Sequence, residues 1–317
     1  MDRLLDQVVE QSNQWCSQWT IFNPTYVLPV ALINIVQFPD LPILSILSRV
    51  KNSMWIYAID DLVDGGKLTE RELRIALFEC ALVASAADNI KPESELARTL
   101  QVLHRELMEF PNYQHVARMW STSLIRTIDG MMYEYWMQRR YKPIQFTAEL
   151  PPYDEYIYYA RSSIAITYLW ITGLILETDV GIKTELPGLF RLADQCALVI
   201  RLANDVCTFK RELEEGGVNA VALCISQLLA TAGREPISNL IARASRTVSR
   251  RVDRELARAR AIAKTVRTDS AVEERFLRAT EVSVDLYRRS DIRVWSKIVN
   301  KNDFEGSSDR AGQVAGR

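Results

Sequence analysis

Histidine, glycine and proline are scarce in this chain of 317 residues, numbering 2, 12 and 11. With only His104 and His115 available, a zinc site built on imidazoles or a Ser-His-Asp apparatus has almost nothing to draw on. The 5 cysteines are odd in number and form no CxxC pair, which argues against structural zinc and suits a reducing compartment. So few glycines and prolines leave few turns, and long helices follow. Charge of one sign is not in excess either: 39 Lys and Arg face 40 Asp and Glu, for a net charge of -1. That balance argues against a protein that coats nucleic acid through a basic surface. The leading MDRLLDQVVEQSNQW lacks a basic flank followed by an apolar stretch. Residues 27–47 are interrupted by Pro29, Asn34, Gln37, Asp40 and Pro42, and 164–176 is too short to span a bilayer. These absences predict a cytoplasmic chain with no stable membrane insertion and no nucleic-acid partner.

What is present is an ordinary globular composition, 48% hydrophobic and 25% charged, with enough apolar material for a large core. Apolar residues recur at three- and four-residue spacing from end to end, and no alternating run reads as a strand. The pattern predicts helices over 1–20, 41–64, 69–90, 93–109, 113–138, 152–176, 187–215, 217–231, 236–267 and 270–300. Breaks fall at Gly65-Gly66, Pro111, 142–152 and Gly216-Gly217, and no repeat of solenoid period is visible. The expectation is one all-α domain over 1–301, followed by a Gly-, Ser- and Asp-rich tail at 302–317 that reads as disordered. A basic stripe of Arg243, Arg246, Arg250, Arg251, Arg254, Arg258, Arg260, Lys264 and Arg267 lies opposite Ile241, Val248, Val252, Leu256 and Ile262. A stripe of this kind is ordinarily a solvated face; the competing reading is a non-catalytic helical protein that docks it on a partner or an anionic surface.

Two segments carry chemistry. In WIYAIDDLVDGG, Asp60 and Asp64 sit about 40° apart on one helix face while Asp61 points to the flank. Like charges one turn apart repel by about 0.2–0.5 kcal/mol, which a cation between them would relieve. Hard divalent ions such as Mg²⁺ prefer such oxygen ligands and share phosphate oxygens. A solvated acidic helix end is the plainer alternative, but the preceding Met54, Trp55, Ile56, Tyr57, Ala58 and Ile59 set these acids at the rim of an apolar cavity. In RLANDVCTFKRELEEGGVNAV, Asn204, Thr208 and Glu212 recur every four residues within about 80° of one face. They present an amide oxygen, a hydroxyl and a carboxylate in a row, a set able to chelate Mg²⁺ and leave room for a diphosphate. Arg211 returns to the same face, where its guanidinium can fork onto two oxygens.

Together the segments resemble the class I terpene synthases, whose aspartate-rich DDxxD is matched by Asp60 to Asp64 and whose NSE triad is matched by Asn204, Thr208 and Glu212. Asn219 and the basic Arg211 also look like this family. The likeness spans roughly 20–300, and a triad in place of a second DDxxD separates it from the polyprenyl elongases. The chain is most similar to bacterial single-domain diterpene synthases of the ent-kaurene synthase kind, and it has no DxDD motif for protonation-initiated cyclisation. The resemblance implies a helical bundle around a central apolar cavity, with three Mg²⁺ ions held by Asp60, Asp61, Asp64, Asn204, Thr208 and Glu212.

It further implies that Arg161, 43 residues before Asn204, senses the diphosphate, although Ala160 and Ala165 stand where a second Arg and a Gly are usual. Arg211 and Arg293 complete the diphosphate-binding set; Trp295 stands where a Tyr normally follows Arg293, and Arg288 or Arg289 are substitutes for it. The implied substrate is a C20 isoprenoid diphosphate, either geranylgeranyl diphosphate or a bicyclic labdane- or clerodane-type diphosphate supplied by a class II cyclase. The product is then a diterpene hydrocarbon or alcohol. Farnesyl diphosphate and a sesquiterpene product are the alternative, and a homodimer is compatible with either. Aromatic faces stabilise a carbocation, and the candidates are Trp55, Tyr57, Tyr133, Trp136, Tyr158 and Tyr168, with Tyr159 and Trp170 beside them.

Overall fold

The apolar periodicity resolves into twelve α-helices among the described residues of the computed structural model, which are 2–65, 68–86, 90–141, 150–179, 181–230 and 235–289. In chain order they are α1 Asp2–Cys16, α2 Val27–Gln37, α3 Ile43–Asp64, α4 Glu70–Ala86, α5 Glu95–Met108 and α6 Tyr113–Tyr141. There follow α7 Tyr153–Ser163, α8 Ile166–Ile175, α9 Ile182–Glu215, α10 Ala220–Leu229, α11 Ile237–Ala263 and α12 Val272–Arg289. Among these residues no helix is long and apolar enough to cross a membrane. The expected tail at 302–317, the domain end at 301 and Arg293 lie outside the described residues.

The longest helix, α9, is the axis of the assembly and packs against α6, α7, α8, α10, α11 and α12. Its two halves serve two apolar clusters. Leu189, Leu192, Cys196 and Ile200 join the cluster built mainly from α1 to α6, α8 and part of α12, while Val199, Leu202 and Phe209 join that of α7, α10 and α11 with the end of α6. Aromatic contacts knit the first cluster: Trp170 stacks on Phe276 at 4.6 Å and meets Phe38 edge-on at 6.4 Å. Burying a side chain of this size stabilises a fold by about 1.5–3 kcal/mol.

Three boundaries depart from the periodic reading. Helix α2 falls in a stretch that Pro29 and Asn34 made look broken; Pro29 sits in its first turn, where a missing N–H costs nothing, and Asn34 donates back to the Val30 carbonyl at 3.0 Å. The expected helix 152–176 divides at Ala165, which takes the left-handed conformation at φ 59° and starts α8 in a new direction. Helix α9 begins five residues before Pro187 and passes through it. It ends at Gly216, whose φ of 85° is natural only for glycine and lets Gly217 N donate to the Glu212 carbonyl at 2.7 Å.

The basic face of α11 is partly neutralised within the fold. Arg258 lies 2.9 Å from the buried Glu255, with Arg251 and Arg254 at 3.6 and 3.7 Å, and Arg260 pairs with Glu281 at 2.7 Å.

Where α6 crosses α7, Gly130 brings the two backbones together: a Cβ there would stand 2.7 Å from Ser163 N and from the Tyr159 carbonyl oxygen. Backbone cannot yield cheaply, so Gly130→Ala is expected to destabilise the fold by about 1–3 kcal/mol through overpacking, against a gain of about 1 kcal/mol in helix propensity. A lowered urea midpoint with an unchanged slope is the expected reading; an unchanged or raised midpoint contradicts the close crossing.

Candidate active site

Helices α3, α6, α7 and α9, with α2, α8 and α12, enclose a cavity of about 570 Å³. The inner lining carries Val30, Ile33, Phe38, Ile56, Met131 and Leu169, whereas Asp60, Asp64, Asn204, Arg211, Glu212 and Glu215 supply polar lining. The C-terminal end of α3 therefore brings Asp60 and Asp64 to the same cavity as the triad end of α9. Asp61 does not line it; its Oδ1 accepts from the Tyr26 hydroxyl at 3.2 Å. Thr208 is buried beside the wall rather than on it and donates to the Asn204 carbonyl at 2.9 Å. The Glu212 carboxylate accepts from Asn219 Nδ2 at 2.8 Å, and Asn219 in turn caps α10 by accepting from Ala222 N at 3.0 Å. The turn at Gly216 is what folds Asn219 back onto Glu212.

The arginines divide. Arg211 lines the cavity and pairs with Glu215 at 2.8 Å. Arg161 does not: its Nη1 is 3.2 Å from Asp194, which also takes Arg126 at 3.0 Å, so the expected sensor is turned to a carboxylate outside the cavity wall. Arg288 is held by Asp253 at 2.6 Å on the exposed side of α12.

Of the six expected cavity aromatics, Tyr57 and Tyr133 line the wall, as does the neighbouring candidate Trp170. The other four lie elsewhere. Trp55 and Tyr168 are core residues, donating to the Leu96 carbonyl at 2.9 Å and to Asn52 Oδ1 at 2.7 Å. Trp136 and Tyr158 are exposed at 45% and 54%, so neither ring is positioned in a dry pocket. Phe38, Tyr156 and Tyr287 line the cavity in their place.

The largest feature missing from the sequence reading is a buried charge network beside the triad, with Arg201, Glu134 and Tyr156 on the same cavity lining. Arg201 Nε pairs with Asp205 Oδ1 at 2.7 Å and its Nη1 with Glu134 at 2.5 Å, while Nη2 donates to the Tyr156 hydroxyl at 2.6 Å. Tyr156 donates to Asp205 Oδ2 at 2.8 Å, and the same oxygen accepts from Ala220 N at 3.0 Å. Burial works against the charge on Arg201, but Asp205 and Glu134 more than offset it and keep the guanidinium charged. Burial pushes Asp205 up to about 6 and Glu134 up to about 7, each against the pull of Arg201. The signal in the sequence was a lone Arg in the apolar run preceding Asn204 and a lone Glu in the aromatic run of α6.

The model for terpene synthase family 2, C-terminal metal binding, matches residues 51–232, more than half of the chain and both acidic segments. The chain belongs to the class I terpene synthase family. An ent-kaurene synthase of Marrubium vulgare is 26% identical over 193 residues, covering 56% of this chain and 23% of that protein. An ent-beyerene synthase of Oryza sativa subsp. japonica is 28% identical over 183 residues, covering 55% and 21%. The chain thus spans about a quarter or less of the length of these relatives. Among solved structures, a linalool/nerolidol synthase of Streptomyces clavuligerus, bound to 2-fluorogeranyl diphosphate, superposes with a TM-score of 0.69 at 13% identity, covering 90% of this chain and 94% of that one. An ancestral-reconstruction protein, SVS_A2, reaches 0.70 at 16% identity over 90% and 86%. These likenesses show the all-α terpene synthase fold.

The family binds a metal, and Asp60, Asp64, Asn204 and Glu212 on this cavity offer the oxygen donors that suit a hard cation. Among the described residues no three His, Cys, Asp or Glu side chains gather closely enough to hold an ion by themselves. Hard divalent ions such as Mg²⁺ keep several waters and share oxygens of an anionic ligand, so such a donor set does not need three protein carboxylates.

Glu134 makes the buried network testable. Its carboxyl is raised from 4.5 to about 7, so the stabilisation it contributes is complete below about pH 4.5 and is lost as pH rises through 7. Glu134→Gln removes that dependence. The wild-type advantage over the variant in urea unfolding is expected to shrink steadily from pH 5 to pH 8; a constant or growing gap contradicts the raised carboxyl.

Proposed function

We propose that this terpene synthase ionises a C20 isoprenoid diphosphate in a Mg²⁺-dependent reaction, releasing diphosphate and a diterpene hydrocarbon or alcohol. The observation that carries the reading is the pairing of Asp60 and Asp64 from α3 with Asn204 and Glu212 from α9 on one cavity that also carries apolar lining such as Ile56, Met131 and Leu169. The C20 length is supported by the relatives named as ent-kaurene and ent-beyerene synthases, both makers of diterpenes.

Asp60 and Asp64 would hold metal on one side, and Asn204, Thr208 and Glu212 on the other, with Asp61 steadying the end of α3 through Tyr26. Three Mg²⁺ ions so held would supply positive charge that stabilises the departing diphosphate. Arg211 adds a guanidinium on the same wall once it exchanges Glu215 for diphosphate oxygens. Thr208 donates its proton to the Asn204 carbonyl, which leaves its oxygen lone pairs for a cation. Deeper in, Met131 and Leu169 exclude water, and the rings of Tyr57, Tyr133 and Trp170 attract a carbocation by about 0.5–2 kcal/mol each. Cytoplasmic residence and supply of a bicyclic substrate by a class II cyclase are consistent with this chemistry.

The test is turnover of a panel of C10, C15, linear C20 and bicyclic C20 diphosphates with Mg²⁺, read by gas chromatography and diphosphate release. A C20 substrate is expected to be preferred, chelation of the metal to abolish turnover, and Asp60→Ala or Asn204→Ala to lower it by about 10²-fold or more. A preference for farnesyl diphosphate transfers the assignment to sesquiterpene synthesis. Failure of every diphosphate overturns the reading. Charge reversal at Arg250, on the basic face of α11, is expected to leave turnover within about twofold, whereas an anion-docking protein would lose salt-sensitive binding.

A further inference from the structure

The cavity has a second charged wall far from its acids. Arg49 and Asp60 are both on α3, eleven residues apart, which places them within about 20° of one helix face and about 16 Å apart along its axis. Both line the cavity. Arg49 is only 5% exposed, and its guanidinium lies over the Phe38 ring with Cζ 3.7 Å from the centroid. Gly173 of α8 makes the room, since a Cβ at that position would overlap the Arg49 Nη1 atom.

Among the described residues the Phe38 ring is the nearest answer to this charge, and no carboxylate pairs with it. Among the described residues no group accepts from Arg49 Nε. Glu177, the carboxylate whose field it feels, is already engaged by Arg275. Burial lowers Arg49 to about 9, so it remains a cation at neutral pH. The polar residues nearby serve one another instead: Gln37 donates to Ser283 Oγ at 2.9 Å and Asn34 to Ser53 Oγ at 3.4 Å.

A buried, unpaired guanidinium is costly and is satisfied only by an acceptor. A pure hydrocarbon tail supplies none. It also brings a developing carbocation against a fixed positive charge, which raises the cost of any charge placed at that end. An oxygen substituent removes both difficulties.

We propose that Arg49 forms a recognition subsite for an oxygen carried by the isoprenoid at the end remote from its diphosphate, so that the substrate class is an oxygenated prenyl or prenyl-derived diphosphate. The inference rests on the reading of this cavity as an isoprenoid diphosphate site, and it names a group that the metal-binding wall does not contact. Phe38 and Gly173 are positioning residues that hold the guanidinium in place.

The test compares geranylgeranyl diphosphate with its terminally hydroxylated counterpart, using the full chain and Mg²⁺. Wild type is expected to favour the hydroxylated diphosphate in kcat/KM by at least about tenfold, because a site built to hydrogen-bond an oxygen discriminates against the analogue lacking it. Arg49→Met keeps the aliphatic stem and is expected to erase or reverse that preference. Gly173→Ala, which displaces the guanidinium without removing it, is expected to act in the same direction and covers the case in which Arg49→Met does not fold, as judged by circular dichroism. Equilibrium binding of the unreactive thiolodiphosphate analogues of the two compounds with Mg²⁺, by calorimetry, separates the two claims. A binding preference that depends on Arg49 in a chain that turns over neither compound sinks the proposed reaction and leaves the subsite standing. Equal affinity and equal kcat/KM for the two compounds in wild type, or a preference that survives both substitutions, overturns the subsite.

Discussion

A positive charge buried in the middle of the longest helix governs how this site is built. Arg201 is one turn before Asp205 on α9, and the pair reaches Glu134 on α6, Tyr156 on α7 and, through Asp205, the start of α10 at Ala220. Four helices are thus referred to one guanidinium. Replacing such a cluster by apolar side chains need not cost stability, but leaving one member unpaired costs about 3–5 kcal/mol, so the members are fixed relative to one another once any is present. The consequence is positional. Asn204 follows Arg201 by three residues and Glu212 follows Asp205 by seven, so the polar row facing the cavity inherits its rotation from the network beside it. Asn219 closes the arrangement by bonding to both the Asp205 carbonyl and the Glu212 carboxylate.

The network also shows where sequence reading succeeds and where it stops. The acidic rows were legible because each repeats at helical spacing, and spacing fixes which residues share a face. Arg201 and Glu134 were not, because a single charge in an apolar run has no period; its partner is 67 residues away in sequence and is supplied by packing alone. The fold class was legible for the same periodic reason. Helix α2 was hidden because its proline and asparagine look like breakers until one sees that the proline is in the first turn and the asparagine bonds back to its own helix. The division at Ala165 was hidden by the lack of a glycine there, since alanine pays a steric penalty in the left-handed region that only surrounding packing can impose.

Aromatic residues failed for a different reason. Periodicity assigns a ring to the apolar side of a helix, but α3, α6 and α8 each bury more than one side. Trp55 and Tyr168 therefore meet each other in the core, with ring centroids 6.2 Å apart, although both stand close in sequence to cavity residues. Tyr133, by contrast, sits on the wall with Tyr159 stacked behind it at 4.4 Å. Cavity and core differ by the presence of a void, and a void is a property of several helices at once.

The charges along α3 give the cavity its polarity. Asp60 and Asp64 concentrate negative charge at one end of a helix face and Arg49 puts positive charge about 16 Å away on that same face, with Ser53 and Ile56 between them. In a low-dielectric cavity such charges act over longer range than in water. On the proposed reading, the carboxylates at one end would repel a polyanionic head unless cations and Arg211 offset them, whereas the far end offers Arg49. Orientation would follow, on the same reading, from which end of the ligand recruits divalent ions, which a diphosphate does more readily than a single oxygen. On that reading Asp60, Asp64 and Arg49 would sort the ends of a ligand before any bond is broken, and the rings between them would determine the shape of what reacts.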